Sequence, residues 1–574
     1  MPQLILGLHP GIHDAAAAVF VDYDLKAAVQ LERLTRHKGD GSVFPNACID
    51  EVLSIAGATR RDVDVVAMTR AKFPVRYFRE RRGLHWLRNL LRPDKSDSRL
   101  LIRELRSAKT ADTDAIFDIA AFRREAGFRP DAHVFFFNHH EAHALPALFY
   151  TDWDDALLIT ADAGGDGTNY SHRHFAGGKL ATIYGGDERL LMPLRNDSLG
   201  ALYAAATDAV GFSSERRHEG KVTGLSAMGE PGYYDRIAAR FSIDEAGRIG
   251  SDFAKVREKL PFMREIAAGA RREDVAASVQ KVLEDFMLES VRRVLKRHPA
   301  RRLGVAGGVF ANVKLNRTLV EKLPIEEIFI FPPMGDEGMP AGGPLIYLLH
   351  RDGLPRWLDQ RRRLENLYLG RDYTATIDVT LARMPSVART REAPVEGTAA
   401  RLARGQIGAI YTGRMEYGPR ALGTRSILAN PSRRETHDLL NQRLERSEFM
   451  PFAPVISAAR AGDVFDVNAK NAYACRFMTI TCDVRPAWRG RISAVVHVDG
   501  SARPQVIERG PNPLYFDILA AFERTTGLPV LVNTSFNVHE EPIVNRPEEC
   551  AKALSDGRID FVVTEQAVYE RRSG

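Results

Sequence analysis

The sequence has few cysteines and no long apolar run. Its 574 residues include only four cysteines (Cys48, Cys475, Cys482 and Cys550), which form no Cys-x-x-Cys pair. This spacing argues against a disulfide framework and favours reduced, structural thiols. No run of about 18 apolar residues occurs, which excludes a conventional membrane-spanning helix. The N-terminus enters a strand-like segment without a charged leader, so we expect a cytoplasmic protein outside the membrane.

Neither sign of charge is in large excess: 80 lysines and arginines against 74 aspartates and glutamates give a net charge of +6, with the 16 histidines counted as neutral. The basic residues are unevenly placed, and one dense group comprises Arg76, Arg79, Arg81, Arg82, Arg88, Arg92, Arg99, Arg103 and Arg106. Such a group is compatible with a nucleic-acid surface or with attraction of an anionic substrate. No recognised nucleic-acid module surrounds it. We therefore favour a solvated insertion, at about 72–130, whose arginines pair with nearby acids.

The chain is too long for one core, so two to four domains are expected. Its first two-thirds alternate strand-like runs, glycine turns and helical stretches. The strand-like runs are a hairpin formed by 4–8 and 15–21, then 156–160, 303–306 and 328–331, and the clearest helical periodicity lies at 273–297. Strands that repeatedly end in turns of glycine and acidic residues predict an α/β sheet whose loops line a nucleotide or phosphate cleft.

A second domain is expected after the arginine-rich segment at 360–363. Its predicted elements are a helix at 396–404, a strand at 407–411 and further strands near 477–484, 494–498 and 529–532. These elements suffice for a second α/β domain of about 200 residues.

Residues 138–143 read Asn-His-His-Glu-Ala-His. If this segment is helical, His139 and His143 lie one turn apart on one face, where two imidazoles could bind one cation. Asp162, after the strand-like run 155–160, could add an oxygen ligand. A mixed nitrogen and oxygen set suits a first-row divalent metal. The alternative from the residues alone is a pair of hydrogen-bonded core histidines.

The richest stretch of the second domain is 413–427, which carries Arg414, Arg420 and Arg425 on a loop with several glycines. Arginine forks of this kind present paired donors to phosphates. Pairing with Glu416 is the alternative. Two further strand ends carry polar groups suited to a nucleotide or a carbamoyl amide: His497, Asp499 and Arg503 after the first, and Asn533, Thr534 and Ser535 at the second.

Together these segments resemble the carbamoyltransferases of natural-product and nodulation-factor biosynthesis. The resemblance runs almost end to end, and its markers are 11–15, 32–38, 139–143, 219–225, 413–427, 451–454, 497–500 and 533–537. It implies an actin-like ATPase fold over 1–355, a linker at 356–375, and a YrdC-like α/β domain over 376–574. The implied reaction joins carbamoyl phosphate to ATP in the C-terminal domain. Carbamoyl adenylate then passes its carbamoyl group to an acceptor hydroxyl in the N-terminal domain.

The resemblance also implies roles for individual residues. The Fe(II) site, or that of another first-row divalent metal, falls on His139, His143, Asp162 and Asp336. His13 falls on the position of the base for the acceptor hydroxyl. In the N-terminal domain, Lys38, Gly308 and Asn312 would hold the adenylate, and in the C-terminal domain Arg414, Arg420, Arg425, Arg503 and Asn533 would hold carbamoyl phosphate and ATP.

The implied partners are a small-molecule acceptor, carbamoyl phosphate and ATP, with Mg²⁺ accompanying ATP. A membrane or nucleic acid is not expected, and a homodimer is compatible with the sequence. One departure from the family lies at 444–450, where the segment is one residue shorter and Met450 stands in place of an arginine. Arg443 or Arg446 could substitute for the missing cation.

Two other interpretations are open. An actin-fold small-molecule kinase would explain the glycine turns, although not the histidine pair or the arginine loop. A catalytically altered, nucleic-acid-binding relative would use the arginine-rich insertion. No sequence pattern identifies the acceptor or indicates whether an oxygen or a nitrogen is carbamoylated.

Overall fold

The computed structural model describes the whole chain except residues 1, 12, 71–72, 80–112, 114, 191, 193–194, 446–450 and 573–574. Most of the arginine-rich group, and Arg446 and Met450 in the departing segment, lie outside the described residues. At the near edge of that group, Arg76 packs 4.7 Å from the centre of the Tyr77 ring and lies 3.7 Å from Glu125.

The strands of the N-terminal part are β1 (Leu4–His9), β2 (Ala16–Val21), β3 (Asp24–Gln30), β4 (Val65–Thr69), β5 (His133–Phe137), β6 (Asp155–Gly165), β7 (Thr168–Ala176), β8 (Lys179–Tyr184), β9 (Phe241–Ile243), β10 (Ile249–Ser251), β11 (Arg302–Ala306) and β12 (Glu327–Ile330). Its helices are α1 (Leu31–Thr35), α2 (Asn46–Ile55), α3 (Ile119–Glu125), α4 (His139–Phe149), α5 (Leu199–Ala209), α6 (Glu219–Leu225), α7 (Tyr234–Ala238), α8 (Lys259–Ala267), α9 (Arg272–Arg297), α10 (Val313–Lys322) and α11 (Met339–Asp359).

The strands of the C-terminal part are β13 (Tyr368–Asp372), β14 (Val387–Arg389), β15 (Gly408–Tyr411), β16 (Arg414–Glu416), β17 (Arg425–Ala429), β18 (Ala453–Ser457), β19 (Cys482–Asp483), β20 (Ser501–Ala502), β21 (Gln505–Ile507), β22 (Val530–Ser535), β23 (Phe561–Val563) and β24 (Val568–Arg571). Its helices are α12 (Thr374–Arg383), α13 (Pro394–Ala403), α14 (Glu435–Arg443), α15 (Ala458–Val464), α16 (Ala472–Cys475), α17 (Pro486–Arg489), α18 (Pro513–Thr526) and α19 (Pro547–Ser555).

The N-terminal part contains the same sheet twice. The first sheet has the order β3-β2-β1-β4-β5, and the second, read from its other edge, has the order β8-β7-β6-β11-β12. In both, an antiparallel meander of three strands is followed by two strands parallel to the first one. This duplicated order is that of the actin-like ATPase fold, and it confirms the predicted α/β class. Carboxyl ends of the parallel strands from both sheets face one central cleft, where such folds bind ligands.

Most of the predicted elements are present. The hairpin of β1 and β2, the strands at 303–306 and 328–331, and the helix at 273–297 are confirmed. One detail differs, because β6 does not end at Thr160. It continues through a bulge at 161–165 and turns back into β7 as a hairpin, with Gly165 opposite Thr168. Asp162 therefore projects from a strand rather than from a strand-to-helix turn.

The C-terminal part is built on one eight-stranded mixed sheet with the order β14-β24-β23-β15-β17-β22-β18-β21. The predicted helix at 396–404 and strands at 407–411 and 529–532 are confirmed. The strand predicted over 477–484 is confirmed only at its end, where Cys482–Asp483 form β19 and Val484 makes a single bridge to Phe465. The prediction of a strand near 494–498 is wrong, because that segment contains a 3₁₀ turn at Ser493–Val495. The apolar side chains of both segments fill the core from largely irregular structure, which a hydrophobic run alone does not distinguish from a strand.

The two parts pack on each other through buried aromatic side chains. The Tyr473 ring stacks on Phe329 with centroids 4.4 Å apart, and its hydroxyl donates a hydrogen bond to the Tyr150 carbonyl at 2.7 Å. The chain passes from the N-terminal part to the C-terminal part through α11, which is kinked at Gly353 (φ 78°). The domain boundaries at 355 and 376 stay a prediction.

All four cysteines are buried thiols, and the Sγ atoms of Cys475 and Cys482 lie 3.5 Å apart. Among the described residues, the helices are each too short or too polar to cross a membrane.

Candidate metal centre and interdomain cavity

Helix α4 presents two imidazoles at the central cleft. Asn138 caps the helix by accepting the Glu141 main-chain N–H on its side-chain oxygen at 3.0 Å. The rings of His139 and His143 lie on one face with centroids 4.8 Å apart. His140 points the other way and is a satisfied core histidine, because its ring nitrogens bond Thr160 at 2.7 Å and the Thr168 carbonyl at 3.1 Å.

Two carboxylates, one from a strand and one from the turn after a strand, complete the cluster. Asp162 projects from β6 and Asp336 from the 3₁₀ turn that follows β12. The Nε2 atom of His143 lies 3.3 Å from Asp162 Oδ2 and 3.5 Å from Asp336 Oδ1. For His139 Nε2 the corresponding distances are 3.7 and 3.6 Å. The structure thus brings together all four residues that the resemblance implies, with one donor atom from each within 4.8 Å of the others.

The chemistry of this cluster fits a divalent first-row metal. The Nε2 atoms of His139 and His143 are buried, and neither has a hydrogen bond of good geometry. Buried polar atoms without partners are costly unless a ligand or ion satisfies them. Two imidazole nitrogens with two carboxylate oxygens form a donor set suited to zinc, iron or a neighbouring metal rather than to calcium.

The electrostatics point the same way. Burial alone would lower the pKa of His143, but its close contacts with the Asp162 and Asp336 carboxylates and their negative charges outweigh burial and raise the pKa to about 9. Burial and repulsion from Asp336 would raise the pKa of Asp162, yet its close contacts with the two histidines hold it well below its usual range. Without a metal, the two carboxylates therefore favour the protonated form of His143. A bound cation would replace that proton.

The surroundings of the cluster are built for close packing. A Cβ atom at Gly165 would lie 2.3 Å from the His139 ring, so only glycine allows the ring this close to β6. The main-chain N–H of Gly308 donates to Asp162 at 3.2 Å. His9, at the end of β1 and fully buried, lies 3.5 Å from Asp336, a contact that no sequence pattern predicts.

His13 lies beside the cluster at the cleft surface. Its side chain is 39% exposed, and its Nδ1 atom lies 4.0 Å from Asp336, 3.1 Å from Asp14 and 2.7 Å from Arg217. Arg217 also forms an ion pair with Asp14. His13 is therefore both close to the proposed metal and reachable from solvent.

A second group of possible ligands, His218, His539 and Glu540, is better described as an ion-pair cluster. Arg216 donates to both carboxylate oxygens of Glu540, at 2.9 and 2.7 Å. The Ser213 N–H donates to Nδ1 of His218, which leaves the proton of a neutral ring on Nε2, 3.5 Å from Glu540. The atoms that would bind a metal are thus already paired.

A cavity of about 220 Å³ lies where the two parts of the chain meet. From the N-terminal part it is lined by Lys38, Gly220, Thr223, Ala311 and Val313. From the C-terminal part it is lined by Pro419, Arg420, Ala421, Pro451, Phe452, Ala453, Met478, Arg503, Asn533, Thr534, Ser535, Asn537, His539 and Glu540. Lys38, Arg420, Arg503 and Asn533, four residues predicted to bind phosphates or nucleotide, therefore share one cavity.

Two other predicted residues, both in the arginine loop, have their side chains engaged elsewhere. Arg414 donates to the main-chain carbonyls of Lys26, Leu369 and Gly370 at 2.7–3.0 Å. Arg425 is fully buried and stacks on the Tyr411 ring at 3.7 Å. This geometry favours a structural role for both.

Asn312 caps α10 and bonds Gln280, so it shapes the cavity wall rather than facing the cavity. In the departing segment, Arg443 is paired with Asp560 at 2.8 Å.

The match to known proteins agrees with this geometry. A family model for the carbamoyltransferase N-terminus matches residues 4–345, and one for the carbamoyltransferase C-terminus matches residues 399–571. The chain belongs to the carbamoyltransferase family. It is 30% identical to the nodulation protein NolNO of Sinorhizobium fredii over 98% of this chain and 79% of that protein. It is 32% identical to the nodulation protein NolO of Bradyrhizobium diazoefficiens over 75% of this chain and 76% of that protein.

An uncharacterized protein of Synechocystis, sll1178, is 30% identical over 99% of this chain and 96% of its own length. Among solved structures, component A of the (R)-2-hydroxyglutaryl-CoA dehydratase of Acidaminococcus fermentans is similar at a TM-score of 0.33, with 11% identity, over 60% of this chain and 96% of that one. Family membership makes this protein a carbamoyltransferase and disfavours the kinase and nucleic-acid interpretations.

Proposed function

We propose that this enzyme is an ATP-dependent carbamoyltransferase with two consecutive reactions. In the first, carbamoyl phosphate and ATP give carbamoyl adenylate, phosphate and pyrophosphate, a conversion that consumes one water. In the second, the carbamoyl group passes to the hydroxyl of a small natural-product acceptor and AMP leaves. The observation that carries the proposal is the cationic cavity at the junction of the two parts, close to the histidine and aspartate cluster.

The cavity has the chemistry that the first reaction requires. Both substrates are polyanions, and Lys38, Arg420 and Arg503 supply three cations around one space. Arginine forks match phosphate oxygens in pairs, whereas lysine acts as a mobile point charge. Asn533, whose amide donates to Gln505 at 2.6 Å, is oriented by that bond and offers a neutral group for the carbamoyl amide or a phosphate. We assign this reaction to a YrdC-like domain covering about 376–574.

The second reaction would use the cleft of the actin-like part, 1–355. His139, His143, Asp162 and Asp336 would hold the metal, with Fe(II) as the favoured ion. When bound there, a divalent metal supplies a Lewis acid for the charge that develops on an oxygen during carbamoyl transfer. His13 would accept the proton of the attacking hydroxyl. Its imidazole lies beside the cluster in the cleft and is partly exposed, so an acceptor that enters from solvent can contact it.

The position of the cavity between the two parts also serves the reaction. Carbamoyl adenylate reacts with water, so an intermediate formed between the two parts is better protected than one formed on an open surface. Gly308 and Asn312 lie on the segment that connects the metal cluster with the cavity wall at Ala311 and Val313. They would shape the path along which the adenylate meets the acceptor.

The direct test incubates the protein with ATP, carbamoyl phosphate and Fe(II), with Mg²⁺ present for ATP, and detects carbamoyl adenylate by mass spectrometry. We expect its formation to depend on both substrates. If a family relative forms it under the same conditions and this protein does not, the activation reaction is contradicted.

A further inference from the structure

Segment 32–38 of the N-terminal part carries more than the cavity residue Lys38. Its residues Glu32, Arg33 and Arg36 belong to one of the motifs shared with the family, yet none has a role in the reactions proposed above. Each is engaged near the cavity.

Arg36 contacts the C-terminal part at one wall of the cavity. Its guanidinium donates to the main-chain carbonyl of Ile543 at 2.7 Å and to that of Pro542 at 2.8 Å. It also lies 3.3 Å from the carboxylate of Glu549. These two carbonyls follow His539 and Glu540, which line the cavity. Arg36 is thus held to the loop that forms this wall.

Arg33 contacts a second loop beside the cavity. It is buried, and it donates to the Gly418 carbonyl at 2.8 Å, while the Gly418 N–H donates to Gln30 at 3.2 Å. Gly418 directly precedes Pro419 and Arg420, which line the cavity. Fixing Gly418 on both its N–H and its carbonyl fixes where the arginine loop enters the cavity.

The segment itself is held in a defined shape between these two contacts. Arg36 ends α1 in the left-handed region (φ 63°). The carboxylate of Glu32 accepts the Gly39 N–H at 2.7 Å and closes the turn that contains Lys38. One short segment therefore fixes its own cavity lysine and contacts two of the C-terminal loops that line the cavity.

We propose that segment 32–38 positions the site of carbamoyl phosphate activation, with Arg36 and Arg33 as positioning residues that act through the 539–543 loop and the arginine loop. This inference rests on the proposed function. The phosphate-binding arginines of the activation reaction are in the C-terminal part. The inference predicts that this reaction nevertheless depends on Arg33 and Arg36 of the N-terminal part.

Arg36→Ala tests the inference, because Arg36 is partly exposed and its loss spares the core. Arg371→Ala is the matched control: Arg371, on β13, pairs with Glu51 of α2 at 2.7 and 2.8 Å. It also bonds Ser54 at 3.1 Å, and neither Glu51 nor Ser54 lines the cavity. Carbamoyl adenylate formed without acceptor is quantified by mass spectrometry, and kcat and KM for carbamoyl phosphate are obtained separately. Thermal unfolding is recorded for each variant.

We expect Arg36→Ala to slow adenylate formation on the order of 10- to 100-fold, since small displacements of positioned groups have effects of this size. Arg36→Lys should recover part of the loss, because an ammonium can still donate to a carbonyl. Arg371→Ala should stay within about twofold of the unaltered enzyme, as expected for an ion pair remote from the reacting groups.

Unchanged adenylate formation by a folded Arg36→Ala protein would overturn the inference, and so would an equal loss in Arg371→Ala. An unaltered enzyme that forms no adenylate would instead contradict the activation reaction itself, which separates the two failures.

Discussion

The carboxylate of Asp166 accepts a hydrogen bond from the main-chain N–H of His139 at 2.9 Å. Asp166 stands in the tight turn between β6 and β7, in the left-handed region (φ 45°), and lies 3.4 Å from the buried guanidinium of Arg70. A carboxylate at a helix N-terminus accepts a hydrogen bond from an otherwise unpaired N–H, and its negative charge interacts favourably with the positive end of the helix dipole. Asp166 thereby fixes the first residue of the helix that carries both imidazoles.

We therefore expect Asp166→Ala to weaken metal binding on the order of 10- to 100-fold, the usual cost of losing a group that orients a ligand. Titration calorimetry with Mn²⁺ measures the affinity. Asp166→Asn is the matched control, because its amide oxygen can still accept the His139 N–H. Unchanged affinity in Asp166→Ala would show that α4 is held by its other contacts.

His139→Ala should abolish carbamoyl transfer and leave carbamoyl adenylate formation near that of the unaltered enzyme. The reason is spatial: His139 belongs to the cluster in the cleft, whereas the cations of the cavity lie on other segments. Both activities are followed in one reaction by mass spectrometry, as carbamoylated acceptor and as adenylate. A parallel loss of both would contradict the division into two reactions.

Local patterns predicted much of the metal cluster. The spacing of His139 and His143 matches one helical turn, and helix α4 confirms that register. Asp162 was expected from a turn, and it keeps its position near the cluster although it projects from a continuing strand. Asp336 came from the resemblance, and the parallel pairing of β11 with both β6 and β12 explains why distant strand ends meet.

Contacts between remote segments could not be predicted in this way. Nothing in the arginine loop distinguishes Arg420, which lines the cavity, from Arg425, which is buried beneath it. Whether Arg420 or Arg425 lines the cavity depends on where β16 and β17 begin and end. His9 and Asp166 approach the cluster only after two sheets have formed. Such neighbours are set by tertiary packing, which a single sequence encodes only indirectly.

Metal binding should strengthen as pH rises. Burial lowers the pKa of His143, but the neighbouring carboxylates raise it to about 9 in the metal-free protein, so this imidazole is protonated at pH 7. The proton competes with the metal, since only the neutral imidazole is a ligand. We expect affinity for Mn²⁺ to increase between about pH 6 and 9 and then to level off.

Calorimetry in two buffers of different ionisation enthalpy measures the protons released on metal binding at pH 7. Proton release is the expected result. Binding without release, at an affinity that does not change with pH, would mean that the His143 imidazole is already neutral and that the neighbouring carboxylates do not raise its pKa.

Arg420 and Arg425 offer a direct comparison within one loop. Arg425 donates to the main-chain carbonyls of Thr412, Gly413 and Thr424 at 2.6–3.1 Å. Arg425→Ala would remove a donor from each of these carbonyls and the packing of the guanidinium on Tyr411, and we expect it to lower the free energy of unfolding by about 3 kcal/mol. Arg420→Ala removes a group at a cavity, so it should leave the unfolding temperature nearly unchanged and slow adenylate formation on the order of 100-fold.

Thermal unfolding and adenylate formation, measured on both variants, separate stability from substrate binding. The sequence alone predicts phosphate contacts for both arginines, whereas the geometry predicts opposite outcomes. If Arg425→Ala keeps the unfolding temperature and loses only activity, its guanidinium must reach the substrates, and the buried position beneath the Tyr411 ring would not be the one used in the reaction. If it loses stability first, the arginine loop has one residue that binds and one that holds the loop in place.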